Sequence, residues 1–157
     1  MAGSGAPETG GVDASGLNVV VVAGTWHEVI TNGLIAGAKR VLDATGATYR
    51  VVRVPGSFEL PVAASAAFEG GADAVVALGV IIRGGTPHFE FVSSAATDGL
   101  TRVALDAGKP VGFGVLTLDD EQQGLDRAGL EGSKEDKGEE AADAAIRTAL
   151  VLRELRG

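Results

Sequence analysis

Apolar residues occur along the chain in short uninterrupted runs, which alternate with segments of helical spacing. The run NVVVVA at Asn18–Ala23 does not alternate with polar residues, as is typical of a strand buried on both faces. Similar runs predict further strands at Tyr49–Val54, Ala74–Ile82 and Val111–Leu118. Between and after them, apolar residues three and four apart predict helices at Val29–Thr45, Pro61–Phe68, Phe89–Ala107, Asp120–Arg127 and Glu139–Arg156.

This alternation predicts an α/β fold with a four-stranded parallel sheet and helices on both faces, a three-layer αβα arrangement. Residues 1–15 are rich in Gly, Ala and Ser and have no apolar period, so we expect a flexible N-terminal arm before a single domain at 16–157. The charged segment Gly129–Glu140 is expected to be a solvated connection between the last two helices.

Composition restricts the function classes. The net charge of −8 argues against a binder of nucleic acid or of anionic membranes. No apolar run is long enough to span a membrane, and the N-terminus lacks the basic-then-apolar pattern of a secretory signal. The chain contains no cysteine, which excludes disulfides and thiolate zinc sites. Composition therefore predicts a soluble, acidic, single-domain protein, for which an anionic small molecule remains possible as a ligand if a local basic site exists. We also expect a cytoplasmic location.

Ligands of open α/β sheets bind beyond the carboxyl ends of the strands, so the segments after each strand are the first candidates. Trp26, the single tryptophan, follows the first strand and is either a packing residue or a flat face for a planar heterocycle. His27 beside it is expected at the surface, and contact with a ligand is its less favoured alternative role. After the second strand, Ser57 could cap the next helix, while backbone N–H groups of Ser57–Glu59 could meet a ligand carbonyl.

The segment RGGTPH at Arg83–His88 follows the third strand and has the character of a small phosphate site. Its two glycines allow close backbone approach, and Thr86 as N-cap with Pro87 as first helical residue would aim a positive helix end at an anion. His88 is either a surface residue or a proton-transfer group suited to neutral pH. Arg127, near the end of the short helix that follows the fourth strand, could simply complement that helix dipole.

Taken together, these motifs resemble the lumazine synthase family, in order and over nearly the whole chain beyond the arm. The matching segments are the strand ending before Trp26 and the motifs PGSFELP at Pro55–Pro61, ALGVIIRGGTPH at Ala77–His88, FGVLT at Phe113–Thr117, DRAG at Asp126–Gly129 and DKG at Asp136–Gly138. The Arg83–His88 and Pro55–Pro61 motifs are the most specific of these.

The resemblance implies a flavodoxin-like sheet and a transferase of riboflavin biosynthesis that needs no metal or cofactor. The enzyme would condense 5-amino-6-(D-ribitylamino)uracil with 3,4-dihydroxy-2-butanone 4-phosphate, giving 6,7-dimethyl-8-ribityllumazine, phosphate and water. It also implies a homopentamer with active sites between subunits, where Phe113 comes from the neighbouring chain.

By the same resemblance, each candidate residue has a role. His88 would transfer protons, and Trp26 would stack on the pyrimidine. The pyrimidine and its ribityl chain would be held by Ser57, Phe58, Glu59, Val80, Ile81, Ile82 and Phe113. The sugar phosphate would be bound by Gly85, Thr86, Arg127 and Lys137.

The chain departs from the family pattern at two places. The position of Trp26 is often Phe in the family, and the connection Leu130–Asp136 is longer than in members that build closed icosahedral shells, which puts a shell in doubt.

Two alternative functions stay open. A non-catalytic flavin- or lumazine-binding or shell-forming protein would keep Trp26 but could lose His88 or Arg127. An archaeal-type riboflavin synthase would have less use for a phosphate site.

Overall fold

The computed structural model describes residues 4–157 and contains the strands β1 (Asn18–Ala23), β2 (Thr48–Arg53), β3 (Ala74–Ile82) and β4 (Val111–Leu118). They form one sheet in the order β2-β1-β3-β4, and every neighbouring pair is parallel. The predicted four-stranded parallel sheet is therefore confirmed. The predicted bounds of β1, β3 and β4 are also correct, whereas β2 begins and ends one residue earlier than predicted.

The helices are α1 (Glu28–Thr45), α2 (Leu60–Glu69), α3 (His88–Ala107), α4 (Glu121–Leu125) and α5 (Lys137–Arg156). All five predicted helices are present, and no end differs from its predicted position by more than two residues. The side chains of Asp120 and Asp136 accept backbone N–H bonds at the starts of α4 and α5, so these aspartates precede their helices as N-caps. A 3-10 turn at Ser57–Glu59 leads into α2, and Ser57 does not cap that helix.

Two apolar layers enclose the sheet. One core lies between the sheet and α1 and α5, and includes Val21, Leu34 and Ile146. The other lies between the sheet and α2 and α3, and includes Val22, Leu60 and Leu100. Strands β1 and β3 contribute to both cores, which explains why their sequences do not alternate. The fold is the flavodoxin-like αβα arrangement that the sequence predicts.

The predicted arm is partly attached to the domain. Its residues 1–3 lie outside the described part of the chain. Ala14 is buried in the core beside α1 and α5, and its N–H donates to Thr45 O at 2.7 Å. Gly10 N–H donates to Asp143 Oδ1 at 2.8 Å. The domain boundary at residue 16 stays a prediction. The expectation of a flexible arm does not hold for Gly10 and Ala14, which are hydrogen-bonded to the domain.

The connection before α5 is more ordered than the expected solvated turn. Gly129 N–H donates to Glu135 O at 3.0 Å, and Lys137 N–H donates to Arg127 O at 2.9 Å. Ala128 and Asp136 form an antiparallel bridge between these two bonds. Backbone pairing of this kind leaves no charge or hydropathy signal, so the sequence pattern could not predict it. Among residues 4–157, no helix is long and apolar enough to cross a membrane.

Candidate active site

A cavity of about 630 Å³ opens at the carboxyl edge of the sheet, near the ends of β1 and β3. The chain leaves β1 toward β2 on one side and leaves β3 toward β4 on the other, so a crevice forms where the strand order reverses. Its size suits a small-molecule ligand. The lining residues come from three strand ends and the first turns of α3: Trp26, His27, Gly56, Ser57, Phe58, Glu59, Val80, Ile81, Ile82, His88, Phe91 and Val92.

Trp26 presents a large aromatic surface to this cavity, with 67% of the residue exposed. Its backbone carbonyl accepts a 2.7 Å bond from the hydroxyl of buried Thr31. A Cβ atom at Gly56 would lie only 3.2 Å from two atoms of the indole ring, so glycine allows the ring to lie against this turn. An indole that is fixed on one side and open on the other can stack on a planar ring.

His27 has a φ of 54°, and it is the sole non-glycine residue with positive φ among residues 4–157. Its carbonyl accepts the N–H of Thr31 at 3.0 Å, which holds this conformation at the start of α1. Backbone strain of this kind is concentrated at functional sites. His27 is exposed, as the sequence predicted, and it also lines the cavity, which the sequence pattern made the less favoured of its two possible roles.

His88 begins α3, and Phe91 lies one turn later on the same helix face. Both side chains line the cavity, and Phe91 is 73% exposed. Phe91 and Val92 were not among the residues predicted from the sequence. Their spacing of three and four from His88 was the available signal, because a helix presents such positions on one face.

The loop between β3 and α3 differs in detail from the predicted helix cap. Pro87 occupies the N-cap position with φ −70° and ψ 5°, so the helix begins at His88 and the expected assignment of Thr86 as N-cap is wrong by one residue. The Thr86 hydroxyl instead accepts a long bond, 3.4 Å, from the His88 N–H. Gly84, Gly85 and Thr86 are exposed, so their backbone groups can meet a ligand.

Arg83 at the base of this loop is already neutralised by two carboxylates. Its guanidinium contacts Glu90 at 2.5 Å and Asp119 at 3.1 Å, and lies 4.3 Å from the centre of the Phe89 ring. The hydrogen bonds that Arg83 donates to Glu90 and Asp119 raise the pKa of Arg83, and the bond to Glu90 lowers the pKa of that carboxyl group. A phosphate at this loop would therefore need its main positive charge from another residue.

Five of the predicted site residues do not line the cavity of their own chain: Gly85, Thr86, Phe113, Arg127 and Lys137. Phe113 is aligned with Ala77 in the β3–β4 pair, whereas Thr117 is the residue aligned with Ile81. Phe113 therefore lies four residues before the end of the sheet that forms the cavity. It is 47% exposed on the edge strand.

Arg127 and Lys137 lie together on the paired connection before α5. Glu135 is the shared carboxylate, 3.7 Å from Arg127 Nε and 3.5 Å from Lys137 Nζ. Lys137 also contacts Glu140 at 3.2 Å. The two cations therefore lie close together, as the resemblance implies. They are on the face of the sheet that α1 and α5 cover.

No cluster of three histidine, aspartate or glutamate side chains suited to a metal ion occurs in the described range 4–157. The expectation that the chain uses no cofactor stays a prediction.

Comparison with known proteins gives a consistent result over the whole length of the chain. The family model described as 6,7-dimethyl-8-ribityllumazine synthase matches residues 16–153. A protein of that name from Leifsonia xyli subsp. xyli is 73% identical, with all of both chains covered. One from Clavibacter michiganensis subsp. michiganensis is 70% identical over 100% of this chain and 99% of its own length. One from a Nocardioides species is 62% identical over 99% and 97%.

Proposed function

The chain belongs to the 6,7-dimethyl-8-ribityllumazine synthase family and is an enzyme of riboflavin biosynthesis, and we propose that its active site is the cavity beside Trp26 completed by a neighbouring subunit. The reaction joins 5-amino-6-(D-ribitylamino)uracil and 3,4-dihydroxy-2-butanone 4-phosphate into 6,7-dimethyl-8-ribityllumazine. A cytoplasmic location, expected from the sequence, is part of the same proposal.

One observation carries the proposed site: a single cavity has an exposed indole on one wall and His88 on another. The Trp26 ring offers a stacking face for the pyrimidine. The turn Ser57–Glu59 and the strand end Val80–Ile82 offer backbone groups and apolar surface for the ribityl chain. The anion-binding backbone of Gly85 and Thr86 continues directly from that strand into the helix of His88.

The main catalytic requirement of this reaction is proton transfer. The 5-amino group of the pyrimidine attacks the ketone of the sugar phosphate, and loss of water gives an imine. Proton removal and elimination of phosphate follow, and the second amine closes the ring with loss of water. A histidine can accept and return protons near neutral pH. Holding both reactants in one cavity supplies the remaining acceleration through proximity.

We propose that the neighbouring subunit supplies Phe113, Arg127 and Lys137, and that five subunits form a ring. This accounts for three of the five predicted site residues outside the cavity, and it would supply the positive charge that the neutralised Arg83 does not. The two cations would bind the phosphate at the Gly85–Thr86 backbone, with the planar guanidinium of Arg127 as the main partner. In a closed ring every interface is identical, so every cavity would be completed in the same way.

The reaction is tested by mixing the purified protein with both substrates and following lumazine fluorescence together with released phosphate. We expect both products in equal amounts. Binding of the pyrimidine without product would contradict the proposed activity at this site. Light scattering tests the ring: we expect a particle of about 79 kDa, five times the 15.8 kDa chain, and a megadalton particle would instead indicate a closed shell.

A further inference from the structure

The two cations proposed to bind phosphate lie on opposite strands of a small backbone ladder. Residues 126–129 pair with residues 134–137 through four backbone bonds, among them Lys134 N–H to Asp126 O at 2.8 Å and Lys137 N–H to Arg127 O at 2.9 Å. The only isolated bridge in the described chain, Ala128 with Asp136, belongs to the same ladder. Asp136 is therefore adjacent to Lys137 in sequence and paired with the residue that follows Arg127.

A third cation, Arg40 on α1, forms ion pairs with two carboxylates at the end of this ladder. It extends from α1 and contacts Asp136 Oδ2 at 2.5 Å through Nη2 and Glu139 Oε2 at 2.9 Å through Nε. Asp136 also accepts the N–H of Glu139 at 3.0 Å and so caps α5. The hydrogen bonds that Arg40 donates to Glu139 and Asp136 raise the pKa of its guanidinium, which is already charged at neutral pH.

The fit between α1 and the ladder is close at Gly37. A Cβ atom there would lie 2.3 Å from Asp136 Oδ1, the oxygen that caps α5. A larger residue at position 37 would therefore displace Asp136 without changing any charge. Two independent features of α1, one electrostatic and one steric, thus act on the same carboxylate.

We infer that Arg40 is a positioning residue for the reaction: it fixes Asp136, and through it the backbone that presents Arg127 and Lys137 to the phosphate of the sugar substrate. This inference rests on the proposed function. Arg40 touches no cavity residue, and its effect on substrate passes through the ladder. Arg40 is half exposed while Asp136 is only 20% exposed, so solvent partly screens the pair. We expect its loss to act on substrate binding more than on folding stability.

The test compares steady-state kinetics of Arg40→Gln and Gly37→Ala with those of Lys39→Gln. Lys39 is exposed on the same turn of α1 and makes no hydrogen bond or ion pair among residues 4–157, so its replacement removes the same charge alone. We expect the first two variants to raise the KM for the sugar phosphate by about threefold or more. The KM for the pyrimidine and kcat at saturation should change little, Lys39→Gln should resemble the wild type, and Arg40→Lys should restore part of the loss.

Arg127→Ala is measured alongside to separate the inference from the proposed function. If Arg127→Ala raises the KM for the sugar phosphate but Arg40→Gln does not, the positioning role is wrong and the phosphate site stands. An equal rise of both KM values in Arg40→Gln would also overturn the inference, because it would indicate a general structural role. If Arg127→Ala itself has no effect, both the phosphate site and the inference fail.

Discussion

Phe113 is aligned with Ala77 in the parallel β3–β4 pair, three residues before the cavity wall begins at Val80. Its ring is nearly half exposed on an edge strand, and it is absent from the cavity lining of its own chain. An aromatic residue so placed is free to complete a site on another subunit. Phe113→Ala should therefore raise the KM for the pyrimidine by about three- to tenfold.

The folding stability of the Phe113 variant should fall by less than for a fully buried phenylalanine, because nearly half of the residue is exposed within its own chain. Leu155→Ala, which removes a more exposed apolar side chain from the end of α5, is the matched control and should leave the KM unchanged. Steady-state kinetics with the pyrimidine varied measures the KM, urea unfolding measures the stability, and a mass measurement checks that the assembly is unchanged. A wild-type KM in the Phe113 variant would remove this residue from the site.

His88 is expected to serve the chemical steps more than binding. His88→Ala should lower kcat with a smaller change in either KM, because proton transfer contributes to the transition state and the cavity walls remain. The loss should be partial, since both substrates are reactive in themselves. Steady-state kinetics with each substrate varied in turn measures this split. A turnover number equal to that of the wild type would exclude His88 from the mechanism.

Arg127 should affect one substrate selectively. Arg127→Ala should weaken the sugar phosphate by about 2–3 kcal/mol, since a charge-assisted contact is lost, with a far smaller effect on the pyrimidine. This corresponds to roughly a 30- to 150-fold change in affinity. Arg127→Lys should recover only part, because an ammonium group cannot form the two parallel bonds. Equal weakening of both substrates, seen in competition with each, would indicate a structural role.

The Arg83–Glu90 pair should contribute to stability in a pH-dependent way. The hydrogen bond from Arg83 lowers the pKa of Glu90 below its ordinary value of 4.5. The contribution is therefore full above pH 4.5 and disappears as pH falls through the lower pKa of the folded state. The urea midpoints of the wild type and Glu90→Gln should differ at pH 7 and converge in acid.

Asp106→Asn controls for loss of a carboxylate from the same helix, since Asp106 forms a more exposed pair with Arg102. It should change the urea midpoint less than Glu90→Gln at pH 7. A gap between the wild type and Glu90→Gln that stays the same as pH falls well below the ordinary carboxyl range would refute the assignment to this ion pair.

The sequence predicted the sheet well because buried parallel strands leave an unmistakable pattern, as in Asn18–Ala23 and Ala74–Ile82. It also indicated the carboxyl edge of the sheet, where Trp26 and His88 line one cavity. It did not predict the start of α3 at His88, which depends on the ψ angle of Pro87. Nor did it predict the ladder that carries Arg127, since backbone pairing is independent of side-chain pattern.

Among residues 4–157, no arginine or lysine lines the cavity within one chain. Arg83 is neutralised by its own carboxylates, and Arg127 lies outside the cavity. Sequence spacing cannot say whether two residues meet within a chain or across an interface. Here the family resemblance, and not the residue pattern, supplied the expectation of a shared site.

The most direct test of that shared site mixes His88→Ala and Arg127→Ala subunits, unfolded and refolded together, and measures lumazine formation. Each variant refolded alone, and the refolded wild type, are the controls. With random assembly into rings, roughly a quarter of the interfaces pair an intact His88 with an intact Arg127. Activity of the mixture should therefore exceed the mean of the two separate variants. If His88 and Arg127 act within one chain, no mixed ring contains an undamaged site, and activity equal to that mean would contradict the account.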